Sequence, residues 1–249
     1  MSEFKDHFSG HATIYREARP TYPPALFAWL AAQAPDRELA WDCACGNGQA
    51  TTALAEHFAR VVGTDPSAAQ IANAERRPNI DYSVEPAEQA TLADGSASLI
   101  TVAQALHWID LPRFYGEVRR VLKPRGVFAA WTYADVSCGD AAIDRVKDRL
   151  YVDLTGPYWP PERVHVESAY RTLDFPFAEI AAPPFPMVAS WTVDHLLAYF
   201  RSWSATQRYM KAHGADPVAI VEPDLRAAWG DPQRVREVTW QFHLRAGRH

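Results

Sequence analysis

The residues best able to do chemistry gather in the first half of the chain. A short apolar segment ends in Ala40-Trp41-Asp42-Cys43, and the turn Ala44-Cys45-Gly46-Asn47-Gly48 follows it. A strand, a glycine-bearing turn and then a helix make a cradle for an anion or a nucleotide. Small residues let the backbone approach a ligand closely, and the start of a helix offers unpaired N–H groups. One strand later, Asp65 closes the run Arg60 to Thr64. A carboxylate there can accept hydrogen bonds from both hydroxyls of a ribose. Each feature alone has an ordinary reading, since glycine is common in strand-to-helix turns and Asp before Pro66 is a good turn residue. Their pairing is more specific than either.

The cradle discriminates between nucleotides. A dinucleotide fingerprint needs G-x-G-x-x-G, and counting from Gly46 its third glycine position holds Thr51. An acidic Asp42 just before the loop is also awkward beside a pyrophosphate, whereas a cofactor with an amine and a sulfonium tolerates or welcomes it. S-adenosylmethionine is therefore favoured over NAD.

Displacement at a sulfonium needs position and a suitable electrostatic environment more than a metal or a covalent nucleophile. A base helps only if the acceptor must lose a proton. His107, just after the fourth apolar run, is the candidate base, with packing as its plainer role. Trp108, Trp131 and Tyr133 are candidates for the acceptor wall or, equally, for the core. Aromatic faces there can also attract a sulfonium, by on the order of 1–2 kcal/mol. Cys43 and Cys45 have C-x-C spacing, but no second pair or nearby histidine completes a zinc site, and Cys138 has no recognisable partner. No metal is expected. Tyr158, Trp159 and Trp191 line an acceptor pocket or form the core of a cap.

The elements that must hold these residues alternate strand and helix, which predicts a parallel sheet built from βαβ units. Strands are expected at Arg60 to Thr64, Ile80 to Val84, Ser98 to Val102, Gly126 to Tyr133, Pro186 to Trp191 and Arg236 to Arg245, besides the one ending at Cys43. Helices are expected after Pro24, after the glycine loop, from Asp110 to Pro124, over 140–152, and over Asp194 to Trp203 and Pro223 to Trp229. Asp110 is a good N-cap, with Arg119, Arg120 and Lys123 near the other end. The chain reads as one domain: a lid segment 1–24, a cofactor-binding core 25–137, an acceptor-side cap 138–231 and a terminal strand 232–249.

Bulk properties agree. The chain has 249 residues, 48% of them hydrophobic, with nine tryptophans, a net charge of −5 and no basic stripe. Nucleic acid is not expected as a partner. No signal peptide or bilayer-spanning run is evident and the cysteines form no disulfide framework, so a cytoplasmic location is the default and no membrane partner is expected.

These residues carry a family resemblance. Trp41 to Thr51 resembles motif I of class I S-adenosylmethionine-dependent methyltransferases, and Gly63-Thr64-Asp65-Pro66-Ser67 resembles their second motif. Ala87-Glu88, Gln104 to Trp108 and Arg120 to Gly126 resemble later family segments. Within the family the chain is most similar to the trans-aconitate-methyltransferase-like small-molecule group, through Tyr15, Arg19 to Pro23, Trp203-Ser204, Trp229-Gly230 and Trp240. The resemblance implies a doubly wound seven-stranded α/β Rossmann-like sheet whose last strand is antiparallel. It implies that Asp65 holds the ribose, that Ala44 and Gly46 pack on the methionyl part, that Ala87 and Glu88 flank adenine, that Gln104 closes from the fourth strand, and that Tyr15 and Arg19 come from the lid, Arg19 facing the cofactor carboxylate. Ala44 stands where the family has its first glycine, so the turn is expected to avoid a positive φ there. Pro86 stands where many members have an acidic residue, leaving Glu85 or Glu88 to substitute or the contact absent. The expected reaction is methyl transfer to a small molecule, at oxygen first, with nitrogen, carbon and sulfur open. An NAD-dependent oxidoreductase and a non-catalytic cofactor-binding protein are the alternatives.

Overall fold

A computed structural model describes residues 18–249. Tyr15 therefore lies outside the described residues. The elements in chain order are α1 (Pro24–Gln33), β1 (Leu39–Cys43), α2 (Gln49–Leu54), β2 (Arg60–Asp65), α3 (Ala68–Ala72), β3 (Ile80–Val84), β4 (Ala97–Ala103), α4 (Leu111–Val121), β5 (Leu122–Ser137), α5 (Ala141–Asp148), α6 (Arg163–Glu167), β6 (Ala178–Glu179), β7 (Met187–Trp191), α7 (Val193–Arg201), α8 (Ser204–His213), α9 (Pro217–Trp229) and β8 (Arg236–Arg248).

The strands form one sheet in the order β3-β2-β1-β4-β5-β8-β6, with β7 also on β8. Pairs from β3 to β5 are parallel, and every pair made by β8 is antiparallel. Eight strands thus fill seven positions. β6 and β7 share the outer edge of β8, at Gly247–Arg248 and at Arg236–Trp240 respectively. Pro183, Pro184 and Pro186 lie between them, and a proline cannot donate to the ladder.

Alternation along each strand divides the core between two faces. Trp41, Cys43, Ile100, Val102 and Phe128 pack with Phe114, Val118 and Val121 of α4. Ala40, Val61, Leu99, Ala129 and Trp131 pack on the other face with Leu26, Phe27 and Leu30 of α1. Asp110 caps α4 through a side-chain bond from Arg113 N–H. The sheet is therefore doubly wound. Its strand order turns back between β1 and β4, the position at which open α/β sheets bind ligands beyond their carboxyl ends.

A third core lies on the C-terminal side. Tyr133 and Val136 of β5 and Val238 and Trp240 of β8 pack with Ile143, Leu197, Phe200, Leu225 and Trp229. β5 starts at Leu122 rather than Gly126 and runs to Ser137, and β8 continues to Arg248. Both strands are long because they serve the sheet cores and the cap core together. Helix α9 starts at Pro217, with Pro223 inside it, well before the expected start at Pro223. The short helices α3 and α6 and the longer α8 carried no recognisable apolar stripe.

Candidate functional site

The loop after β1 is held by its neighbours on the sheet. Asp65 accepts from Gly46 N–H at 2.9 Å and from Ser67 N–H at 2.8 Å, and Cys45 N–H donates to Thr64 O at 3.0 Å. The carboxylate at the end of β2 thus shapes the glycine turn directly. Gly46 and Gly48 have φ of +55° and +86°. A Cβ on Gly48 would lie 2.2 Å from the Tyr82 hydroxyl of β3, so this glycine is required by packing as well as by conformation. Among the described residues, a Cβ on Gly46 would meet nothing nearer than Gln70 Oε1 at 3.9 Å.

Ala44 overturns one expectation. Its φ is +54°, so the turn keeps the left-handed geometry without a glycine. That conformation costs an L-residue about 1–2 kcal/mol, and the bonds made by Cys45 and Gly46 hold the turn in it.

Asp42 is fully buried and faces inward. Its two oxygens accept from Thr51 Oγ1 at 2.6 Å and Thr101 Oγ1 at 2.8 Å, joining β1 to α2 and β4. Burial pushes its carboxyl up to about 6 against these two hydroxyls. Its side chain is thus a brace under the cradle, a correction to the direct cofactor contact expected of it. Thr51, the residue that spoils a dinucleotide fingerprint, is one of the two hydroxyls.

Beyond β3, Glu88 accepts from Asp110 N–H at 2.9 Å and so spans to the start of α4, while Ala87 is buried in the same cluster as Trp41 and Leu106. Glu85 takes the N–H and hydroxyl of Thr91. Gln104, φ +56°, follows β4. Its N–H donates to Trp131 O at 2.9 Å, its amide donates to Tyr133 O at 3.2 Å, and its carbonyl accepts from the Thr132 hydroxyl.

Next to this edge lies a narrow cleft of about 70 Å³, open to solvent, lined by Arg19, Gln104, His107, Trp108, Tyr133, Asp135, Trp159, Arg163, Tyr199 and Trp203, among others. The pairing of β5 with β8 slips between Tyr133 and Val136, and the irregularity places Tyr133, Ala134 and Asp135 together on the cleft wall. Arg19 donates to the Tyr133 hydroxyl at 3.2 Å and to Ser202 O at 3.0 Å. Arg163 lies over the Trp159 ring, 4.6 Å from its centroid, and donates through Nε to Tyr151 at 3.0 Å. Asp135 is paired with Lys147, so its charge is matched from behind. The cleft wall mixes aromatic rings with polar groups; its charged lining residues are Arg19, Arg163 and Asp135, and Glu167 lies 3.8 Å from Arg163.

Of the expected acceptor-side residues, the structure brings His107, Trp108 and Tyr133 to the cleft. Trp131 goes elsewhere. It is fully buried under α1, with Tyr22 and Phe27 edge-on at 5.5 and 6.1 Å, because its neighbours on that face of the sheet are core residues. Trp159 lines the cleft, while Trp191 is cap core, stacked on His195 at 4.3 Å. Asp135, Arg163 and Tyr199 escaped sequence reasoning. Arg163 and Tyr199 belong to the cap, whose elements carry no motif, and Asp135 to the irregular end of β5; only the tertiary fold brings them together beside β4.

The comparisons with known proteins agree with this architecture. Residues 41–130 match the model of a methyltransferase domain. A protein of Dictyostelium discoideum bearing a methyltransferase name is 34% identical over 92% of this chain and 88% of its own. A solved structure from Anaeromyxobacter dehalogenans, described as a type II methyltransferase, is 51% identical, covering 92% of this chain and 97% of that one with a TM-score of 0.86. A Saccharomyces cerevisiae protein named as an S-adenosylmethionine-dependent methyltransferase is 31% identical over 48% of this chain and 44% of its own. The chain belongs to the class I S-adenosylmethionine-dependent methyltransferases. The oxidoreductase alternative is thereby set aside.

The cradle suits this cofactor on its own chemistry. Among the described residues, Gly46 leaves room beside the backbone, Asp65 offers a carboxylate at the end of β2, and Gln104 and Arg19 bring amide and guanidinium groups to the same edge.

Proposed function

We propose that this chain transfers a methyl group to an oxygen of a small acidic molecule bound in the cleft between β4, β5 and the cap. Asp65 would hold the ribose, Gly46 and Ala44 the methionyl part, Glu88 the adenine side, and Arg19 the cofactor carboxylate. S-adenosylmethionine supplies a sulfonium methyl: the new C–O bond forms as the C–S bond breaks, S-adenosylhomocysteine leaves, and the carboxylate and sulfonium charges cancel.

The observation that carries the reading is the charge of the cleft. Arg19 and Arg163 face the cleft against one carboxylate on its wall, Asp135; Arg163 stacks on Trp159 and lies 3.8 Å from Glu167, and Asp135 pairs with Lys147, which Asp148 shares. Aromatic rings of Trp108, Tyr199 and Trp203 on the wall lower the polarity beside the reacting groups, and a charge-neutralising transfer is easier in less polar surroundings. An acceptor oxygen that is already ionised needs no base. That agrees with His107, which burial, with help from Arg163 and His165, pushes down to about 3. It is a weak base there.

The test is S-adenosylhomocysteine release from a panel of C4–C10 mono- and dicarboxylic acids beside their amides, with esters identified by mass. Turnover of acids but not amides is expected, and Arg163→Ala should lower kcat/KM by about 10- to 100-fold, the range for losing a hydrogen bond to a charged group. Turnover confined to amines or thiols would overturn the oxygen assignment. Cofactor binding without turnover on any acceptor would favour a non-catalytic role.

A further inference from the structure

His107 meets one side chain that the sequence did not single out. Its Nδ1 lies 2.9 Å from the hydroxyl of Tyr170. Tyr170 is almost wholly buried and follows α6 in a loop where Ala169 and Tyr170 have φ of +57° and +59°. Two successive non-glycine residues in the left-handed region persist only where the surroundings hold them. Here Tyr170 N–H donates to His165 O at 2.8 Å, and Arg245 donates to the carbonyls of Tyr170 and Leu173 at 3.1 and 2.8 Å. The outcome of that strained loop is one phenol placed against one imidazole.

The direction of the hydrogen bond follows from the other groups around it. The one hydrogen bond made by the Tyr170 hydroxyl among the described residues is the one to His107 Nδ1. The neighbouring Thr132 hydroxyl donates to Gln104 Oε1. The phenol proton has the imidazole lone pair at Nδ1 as its best acceptor, because an sp² nitrogen accepts more strongly than a hydroxyl oxygen. A neutral imidazole that accepts at Nδ1 carries its single proton on Nε2. The ring lines the cleft while Tyr170 lies behind it, and Nε2 has no partner among the described residues.

We propose that Tyr170 is a positioning residue that locks His107 in its Nε2–H form, so that His107 serves the acceptor as a neutral hydrogen-bond donor and not as a base. The donor would engage an acceptor oxygen that Arg163 also attracts. This role rests on the reading of the cleft as the acceptor site, but the tautomer itself does not.

The decisive measurement is therefore made without donor or acceptor. Nitrogen-15 NMR of the histidine-labelled chain should show His107 neutral and protonated on Nε2 between pH 5 and 9. A proton on Nδ1 would overturn the proposal while leaving methyl transfer intact. In Tyr170→Phe, which keeps the ring and its packing, the signal should move toward a mixture of tautomers; an unchanged Nε2–H signal would remove Tyr170 from the role. On an acid accepted by the native enzyme, His107→Ala should lower kcat/KM by 10- to 100-fold. His107→Gln, which retains a donor but cannot act as a base, should recover most of that loss. A Gln variant as impaired as Ala, together with an acidic limb in the native kcat/KM profile that both variants lack, would restore the general-base role and sink this one.

Discussion

The carboxylate nearest the glycine turn shows how a residue's type can be legible while its role is not. Asp42 was readable as an acidic residue closing β1, and its sign helped to exclude a pyrophosphate. The fold turns it inward, onto Thr51 and Thr101. Its folded carboxyl, at about 6, stands above the unfolded value near 3.8. Between those values the folded chain holds more protons than the unfolded one, so Asp42 makes stability fall as pH rises through the window. The protonated form's advantage is complete below about 3.8 and lost above about 6. Asp42→Asn does not titrate. Its stability relative to the native chain should rise by about 2.5 kcal/mol from pH 4 to pH 7, most of the worth of that pKa separation. His107, depressed by burial, pulls the other way: the native chain loses stability as pH falls from about 6.5 toward 3. It is present in both proteins and cancels in the difference. Urea unfolding across pH checks this, and a pH-independent difference would mean that Asp42 ionises without penalty.

At the scale of elements, the cofactor edge depends on contacts between strands that no single motif contains. The glycine turn is recognisable from its own residues. What makes Gly48 obligatory is Tyr82, two strands away on the sheet, whose hydroxyl occupies the place of a Cβ. Tyr82 also lies under the Arg76 guanidinium at 5.2 Å, which limits how far it can retreat. Gly48→Ala therefore carries a steric conflict as well as a positive φ. It should destabilise the chain by about 2–3 kcal/mol and weaken S-adenosylhomocysteine binding at least tenfold. Tyr82→Ala in the same chain should recover the steric part, giving a coupling energy of about 1 kcal/mol or more in a double-mutant cycle. Strictly additive effects would mean that backbone strain alone accounts for Gly48.

The same contrast explains what the sequence could and could not disclose. β3 at Ile80–Val84 was readable because an alternating five-residue run needs only its own pattern. The glycine turn, Asp65 and the cap of α4 were readable because each is a local rule. Ala44 misled, because the cost of a left-handed alanine is met by two bonds between the turn and β2, each spanning 19 positions in sequence. Trp131 misled for a related reason: it shares a face of β5 with Tyr133, two residues on, and only the packing of α1 decides that Trp131 is covered while Tyr133 reaches the cleft. Arg163, Asp135 and Tyr170 were silent, since each gains its meaning from an element packed against it across the cap.

At the scale of the molecule, the acceptor cap and the cofactor sheet could be two units hinged at the cleft or one cooperative body. The strands argue for one body. β5 contributes Val127, Ala129 and Trp131 to a sheet core and Tyr133 and Val136 to the cap core, while β8 contributes Ala246 to the first and Val238 and Trp240 to the second. Nine register pairs join the two strands across that boundary, from Val127–Arg248 to Ser137–Thr239. Opening the cap core alone would expose Val136 and Trp240 while their backbones stay paired to strands still folded at the other end. Tyr133 and Asp135 stand on the wall of the cleft at this junction, so their placement against Gln104 is set by the continuous strand rather than by a hinge. Native-state hydrogen exchange should therefore give the amides of Val136 and Trp240 the same opening free energy as those of Ala129 and Ala130, with the same urea dependence, at the level of global unfolding. Saturating S-adenosylhomocysteine at 100 times its Kd should raise all four together by about 2.7 kcal/mol, as binding to the native state alone requires. Faster exchange at Val136 and Trp240, with a shallower urea slope and no response to S-adenosylhomocysteine, would instead make the cap a separate folding unit and the cleft a moving joint.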